Sequence, residues 1–315
     1  MAAACQPSLF RSNDFVYNRD VDFLGAGGFG EVYRCLLRDS GEQVAIKLLS
    51  APTRLKPSQE KIFLDEVTIL HRLMECPYVI RLLGLCTDPG KYAIVMEYVE
   101  NGDLEEMLMS NNMKHSKIKE WSCRRRMSLQ IAKGMDFLHS LKPPIIHRDL
   151  KTSNVVVDRN YFCKIIDFGL SAMREISKQS TKLSSSSSRR TGTVAFTAPE
   201  VFRNKVDKKR ESKIDVYSYS IILWQIREMK PIYDGVAITV IRANVMGKQR
   251  PHLSDNDCSE DFRGIIIRCW NDEPDVRLDF REITTMLEGI TRQMCASCSE
   301  HALPFNQSLI QMLHH

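Results

Sequence analysis

Apolar residues follow two regimes along this chain: short strand-like runs up to about residue 99, then helical spacing beyond it. Val32–Leu37 reads as a strand, RDSGE as a turn and Val44–Leu48 as the returning strand, which together make a β-hairpin. Tyr78–Gly84 and Lys91–Val99 read as two further strands. Between these pairs, residues 57–77 carry Phe63, Val67, Leu70 and Met74 at helical spacing, with Pro77 as the stop. In the second part, Trp121–Leu141 predicts a helix with Met127, Ile131, Met135 and Leu138 on one side and Pro143-Pro144 beyond it. Residues 214–226 are apolar nearly all round, the mark of a buried helix. Phe280–Met294 carries Ile283, Leu287 and Ile290 at helical spacing. The first fifteen or so residues show no periodicity and read as an extension. The pattern predicts an α+β chain, β-rich first and mostly helical afterwards, with Met96, Glu97, Tyr98 and Val99 as the connector.

The informative positions are the polar ones that break this pattern. Lys47 stands inside the apolar strand VAIKLL, where an ammonium is unfavourable unless it is paired or faces a cleft. Glu66 lies beside the apolar stripe of its helix and offers a partner. Asp215, inside the buried helix, must itself be paired, and the expected partner is the backbone of the loop at 145–157. That loop, IIHRDLKTSNVVV, is an apolar pair, a polar turn and an apolar triplet, read as a loop between two short strands. Its Asp149 and Asn154 are five apart, a spacing that lets one turn present both to one substrate. Asp167 follows apolar strand residues and precedes Phe-Gly, a position suited to a hard oxygen ligand for Mg²⁺.

Gly25, Gly27 and Gly30 match G-x-G-x-x-G, a pattern shared by two kinds of site. A dinucleotide fold needs a helix directly after the glycines and an acid about 20 positions on. Here a strand follows and position 50 is Ser, so that reading fails on both counts. Glycines at a hairpin tip instead let backbone N–H groups approach phosphate closely. Val32 and Ala45 then sit where an apolar ceiling over a purine would be.

Composition narrows the classes. With 315 residues the chain can bury a large core, and 43% hydrophobic with 26% charged is ordinary for a soluble globular protein. A formal charge of +5 without a basic stripe gives no case for nucleic acid, and KVDKKR at 205–210 reads as a solvated turn. The start of the sequence lacks the pattern of a signal peptide, and Ala2 excludes N-myristoylation. No apolar run is long enough for a transmembrane segment. Ten scattered cysteines fit reduced thiols; the one close pair, Cys295 and Cys298 near His301, lacks a second ligand pair for zinc. The expectation is a soluble cytoplasmic protein.

Six motifs in order then resemble the protein kinases: the glycine loop, VAIK at 44–47, the helix glutamate, HRDLKTSN at 147–154, DFG at 167–169 and TAPE at 197–200. Arg277, placed to pair with Glu200, agrees. The resemblance covers about residues 18–292 and is closest in phrasing to the tyrosine-kinase-like serine/threonine group, near the receptor-interacting kinases. It implies a bilobal kinase fold: an extension at 1–17, a first lobe at 18–98, a second at 99–292 and a tail at 293–315. It implies that the loop of Gly25, Ala26, Gly27, Gly28, Phe29 and Gly30 covers the phosphates of ATP, with Leu24, Val32 and Ala45 also at the nucleotide. Lys47 would hold the α- and β-phosphates and be held by Glu66, while Met96, Glu97 and Val99 meet the adenine side. Asn154 and Asp167 would take Mg²⁺, and Asp149 would accept the proton of the acceptor hydroxyl. His147 is implied to be architectural, stacked with Phe168, Leu70 and Leu82, and Arg148 to engage a phosphorylated loop.

Lys151, two after Asp149, and Thr193 in GTVAFTAPE match the serine/threonine branch, so the implied partner is a protein with a Ser or Thr acceptor. Dual-specificity or tyrosine transfer is one alternative, and a nucleotide-binding pseudokinase-like scaffold is another. Scaffolds of that kind commonly lack the lysine or one of the two aspartates, all present here. The run Ser184–Ser188 before Arg189 and Arg190 predicts a disordered loop regulated by phosphorylation, and with it an upstream kinase or adaptor. Three departures touch the second lobe: Ser220 where the family usually has Gly, Leu278 in place of Pro, and Phe196-Thr197 before Ala198. They bear on peptide preference.

Overall fold

The computed structural model describes residues 7–27, 30–49, 57–110, 113–168, 190–254 and 259–297. Gly28, Phe29, the run Ser184–Ser188, and Cys298 with His301 lie outside the described residues, as does the side chain of Cys295. The first lobe is a seven-stranded sheet. Its strands are β1 (Ser8–Phe10), β2 (Phe15–Val16), β3 (Phe23–Gly27), β4 (Gly30–Leu37), β5 (Gln43–Leu48), β6 (Leu82–Cys86) and β7 (Ala93–Glu97). The order is β1-β6-β7-β5-β4-β2, with β3 also on β4, and helix α1 (Pro57–Arg72) packs near β6. All pairings are antiparallel except β1 with β6.

Register divides the sheet into two working faces. Val32 pairs with Lys47, Lys47 with Ile94 and Ala45 with Met96, so alternation puts all five side chains on one face. Tyr33, Cys35, Val44, Ile46, Ala93 and Val95 take the other face and form a small core of their own. Phe10, Phe15 and Tyr17 complete that core. The N-terminal stretch is thus more than an extension: two short strands lie within residues read as patternless. They are too short for periodicity to register, and the edges they pair with are remote in sequence. Gly84 is what seats β1, because a Cβ there would overlap the Ser8 carbonyl oxygen and the Phe10 ring.

The second lobe follows α2 (Leu104–Met109) and α3 (Trp121–Ser140), then the hairpin of β8 (Val155–Val157) and β9 (Cys163–Ile165). Short helices α4 (Arg190–Ala195) and α5 (Pro199–Phe202) precede α6 (Ser212–Glu228), α7 (Ile238–Met246), α8 (Glu260–Cys269) and α9 (Phe280–Ser297). Every residue of α6 from Ile214 to Glu228 is buried, as its unbroken apolar pattern predicts. Elsewhere boundaries move. Ile145–Leu150 form no strand, and the expected strand at 78–84 begins only at Leu82. Val79 instead makes a bridge to Ile165 of β9, tying the lobes together. Helix α1 stops at Arg72, five residues before Pro77. KVDKKR is exposed throughout, as a solvated turn should be. Of the three departures, Ser220 and Leu278 are buried, the serine hydroxyl donating to the Tyr217 carbonyl. Phe196 is buried too, its carbonyl accepting from Ser218 Oγ at 2.8 Å, while Thr197 Oγ1 donates to the Thr193 carbonyl.

Candidate active site

Lys47 leaves β5 on the inner face of the sheet and donates from Nζ to Glu66 Oε1 at 2.6 Å and to Asp167 Oδ1 at 3.3 Å. Helix α1 carries Glu66 to that point because Phe63, Val67 and Leu70 are buried beside it. Lys47 and Glu66 are only 7% and 4% exposed, so each depends on the other. Burial would lower the lysine pKa, but the carboxylates of Glu66 and Asp167 outweigh it and hold Lys47 above its ordinary value. Burial likewise pushes the Glu66 carboxyl up, with Lys47 pulling against it. Asp167 has φ +65°, a left-handed backbone that a non-glycine residue holds only where the surroundings impose it.

The catalytic-loop segment hangs from α6. Asp215 accepts the backbone N–H groups of His147 and Arg148, each at 2.8 Å, and His139 Nε2 lies 2.9 Å away. Burial would raise the Asp215 pKa, yet the His139 bond, the charges of His139 and His147, and the Arg148 N–H bring it below the ordinary aspartate value. His147 is fully buried, its Nε2 3.0 Å from the Ile166 carbonyl and its ring 5.2 Å from that of Phe168. Leu70 and Leu82 are buried in the same core. Lys151 Nζ donates to Asp149 Oδ2 at 2.8 Å and to Thr193 Oγ1 at 3.3 Å. Asn154 Nδ2 donates to the Asp149 carbonyl at 2.7 Å and to Asp149 Oδ2 at 3.1 Å. Its backbone carbonyl accepts the Ile166 N–H at 2.9 Å, which ties this turn to the residue before Asp167.

On the first-lobe side, Gly25, Ala26 and Gly27 belong to β3 and Gly30 opens β4, paired directly with Gly27. Gly30 has φ +148°, and a Cβ there would overlap the Leu48 carbonyl oxygen, so this position admits no side chain. Leu24 is half exposed, Val32 partly buried and Ala45 buried. Met96 pairs with Ala45 and so projects on the Lys47 face, while Val99 lies just past the end of β7. Glu97 is held rather than free: its Oε1 accepts from the Arg81 N–H at 2.7 Å and from Lys164 Nζ at 2.8 Å. Its backbone N–H donates to the Arg81 carbonyl at 3.1 Å, and its carboxylate ties the connector to β9.

The structure brings Lys47, Glu66 and Asp167 together in one set of contacts, and Asp149, Lys151, Asn154 and Thr193 in another. It adds residues that sequence pattern did not single out. His139 bonds Asp215, Thr152 Oγ1 donates to Gln225 Oε1 at 3.0 Å, and Glu211 pairs with Arg148. These partners stand 63–76 positions apart in the chain, so no local signal marks them.

A curled sheet over a helical lobe, with a paired lysine above and an aspartate-asparagine turn below, is the architecture of the protein kinases. The family model described as protein tyrosine and serine/threonine kinase matches residues 20–287, and the chain belongs to that family. It is 33% identical over 284 residues to receptor-interacting serine/threonine-protein kinase 2 of Bos taurus, covering 87% of this chain and 51% of that protein. It is 37% identical over 282 residues to dual specificity protein kinase shkA of Dictyostelium discoideum, covering 86% and 49%. Against serine/threonine-protein kinase CTR1 of Arabidopsis thaliana it is 35% identical over 271 residues, covering 85% and 31%. The chain spans between 31% and 51% of the length of these three relatives. No helix among the described residues is long and apolar enough to cross a membrane.

Proposed function

We propose that this chain is a protein kinase that moves the γ-phosphate of ATP to Ser or Thr hydroxyls of proteins. The observation that carries this reading is Lys151, which touches both Asp149 and Thr193 and so joins the proton acceptor to the platform on which an acceptor residue would rest. Asp149 is poised to accept a hydroxyl proton, and Asn154 fixes its carboxylate from behind. Lys151 supplies a positive charge where negative charge gathers during transfer. Lys47, kept protonated by Glu66 and Asp167, would bind phosphate oxygens of the nucleotide. The hairpin tip at Gly25–Gly30 would close over them through backbone N–H groups, with Leu24, Ala26, Val32 and Ala45 as apolar cover and Met96, Glu97 and Val99 along the adenine edge.

Asp167 and Asn154 would hold Mg²⁺ with one carboxylate and one amide oxygen, both hard ligands, and phosphate and water complete such sites. When bound, the metal would neutralise phosphate charge. A cytoplasmic setting, an upstream kinase or adaptor, and control through phosphate on the serine-rich run complete the proposal. The name of the Dictyostelium relative keeps dual specificity as a second reading. Phosphoamino-acid analysis of substrate labelled from γ-³²P ATP decides between them: the expected label is on Ser and Thr, and label chiefly on Tyr would overturn the serine/threonine assignment. Lys47→Met should lower transfer by about two orders of magnitude or more.

A further inference from the structure

Arg148 is held twice by one end of α6. Its backbone N–H donates to Asp215, and its guanidinium reaches Glu211 Oε1 from both Nε and a terminal nitrogen at 2.9 Å. The two side chains are 12% and 24% exposed, so the pair is only partly screened by water. Glu211 stands at the N-cap of α6, four residues before Asp215, where the helix dipole favours a carboxylate. Arg148 itself sits at φ +65°, a backbone state that persists only when its surroundings over-determine it. The next residue is Asp149. The orientation of the proposed proton acceptor therefore depends on a strained peptide gripped from both its backbone and its side chain.

We propose that Glu211 is a positioning residue for phosphoryl transfer: its carboxylate holds Arg148, and so sets Asp149, before any phosphate is added to the run at 184–188. The inference rests on the kinase reading above and specifies how that site is regulated. A phosphoserine would bring a charge of about −1.5 to −2 to an arginine that already has a full counter-charge. Two anions then compete for one guanidinium, so phosphorylation grades the activity instead of switching it on. Removing Glu211 should convert graded control into strict dependence on phosphate.

The test uses the full chain, phosphatase-treated and shown by mass to be unphosphorylated, with a Ser/Thr peptide and Mg-ATP. Wild type should transfer phosphate in this state. Glu211→Gln should lower kcat by roughly ten- to a hundredfold while KM for ATP moves less than about twofold. Glu211→Asp should recover most of the loss, and adding Glu211→Gln to Arg148→Met should lower kcat no further than Arg148→Met alone. Glu211→Ser, which can cap the helix, replaces the Gln variant if that one does not fold. A Gln variant within twofold of wild type, a KM that rises as kcat falls, or a wild type active only when phosphorylated overturns the inference. A wild type inactive in both states instead removes the kinase reading, and this outcome is told apart by that shared loss.

Discussion

Asp215 touches neither nucleotide nor acceptor in the proposed reaction, yet three donors converge on it, two of them from the peptide that precedes Asp149. Its depressed pKa makes it a source of stability with a definite pH window. A carboxylate whose folded value lies below the unfolded one, 3.8 here, contributes fully above that value and less as pH falls from there through the folded pKa. Urea unfolding of wild type and Asp215→Asn should therefore differ by a constant amount from neutral pH down to about pH 5, with the gap closing in stronger acid. A gap that widens in acid would contradict this assignment. Thr152 and Gln225 make a comparable anchor between neutral groups, both fully buried. Thr152→Val leaves the glutamine oxygen without its donor, at a cost of about 1–3 kcal/mol in unfolding free energy. An unchanged urea midpoint would mean that the bond does not tether the loop.

At the scale of elements, the N-terminal strands show how sequence and structure part company. Lys47 and Asp215 were legible because a charge inside an apolar pattern needs a partner, Glu66 only through the kinase resemblance, and each has its partner. Glycines at 25, 27 and 30 were legible as a hairpin tip because strand residues follow them. Glu211 was not legible, since an acid at the start of a helix looks the same whether it faces solvent or an arginine from another loop. Strands β1 and β2 were not legible either, because what orders them is the edge they meet. Asp88 accepts the Ser12 N–H at 2.6 Å, Arg38 N–H donates to the Asp14 carbonyl at 2.8 Å, and Gly84 leaves room for Phe10. Gly84→Val should overpack this seat and lower stability by about 1–3 kcal/mol. Thermal denaturation reads the loss, and a melting temperature equal to wild type would show that the N-terminal stretch contributes nothing to the lobe.

The two lobes behave as one molecule because the main core runs through both, from Phe63 and Ile94 above to Leu104 and Phe280 below. The Tyr78 and Phe162 rings stack at 5.3 Å and Ile165 exchanges backbone hydrogen bonds with Tyr78 and Ile80, so β9 is fastened to the first lobe. Lys164 on that strand then holds Glu97 of the connector. This frame keeps Lys47 and Asp167 within hydrogen-bond reach across the cleft. On the proposed reading, nucleotide binding and phosphate transfer should be separable, since Lys47 would serve the first and Asp149 the second. The most direct measurement is single-turnover transfer from γ-³²P ATP with Mg²⁺, made beside nucleotide affinity on the same samples of wild type and Asp149→Asn. The expected result is similar affinity in both, with transfer slowed by about two orders of magnitude or more in the variant. Equal transfer rates in the two proteins, or no transfer by wild type despite tight binding, would contradict the kinase reading and leave a nucleotide-binding scaffold in its place.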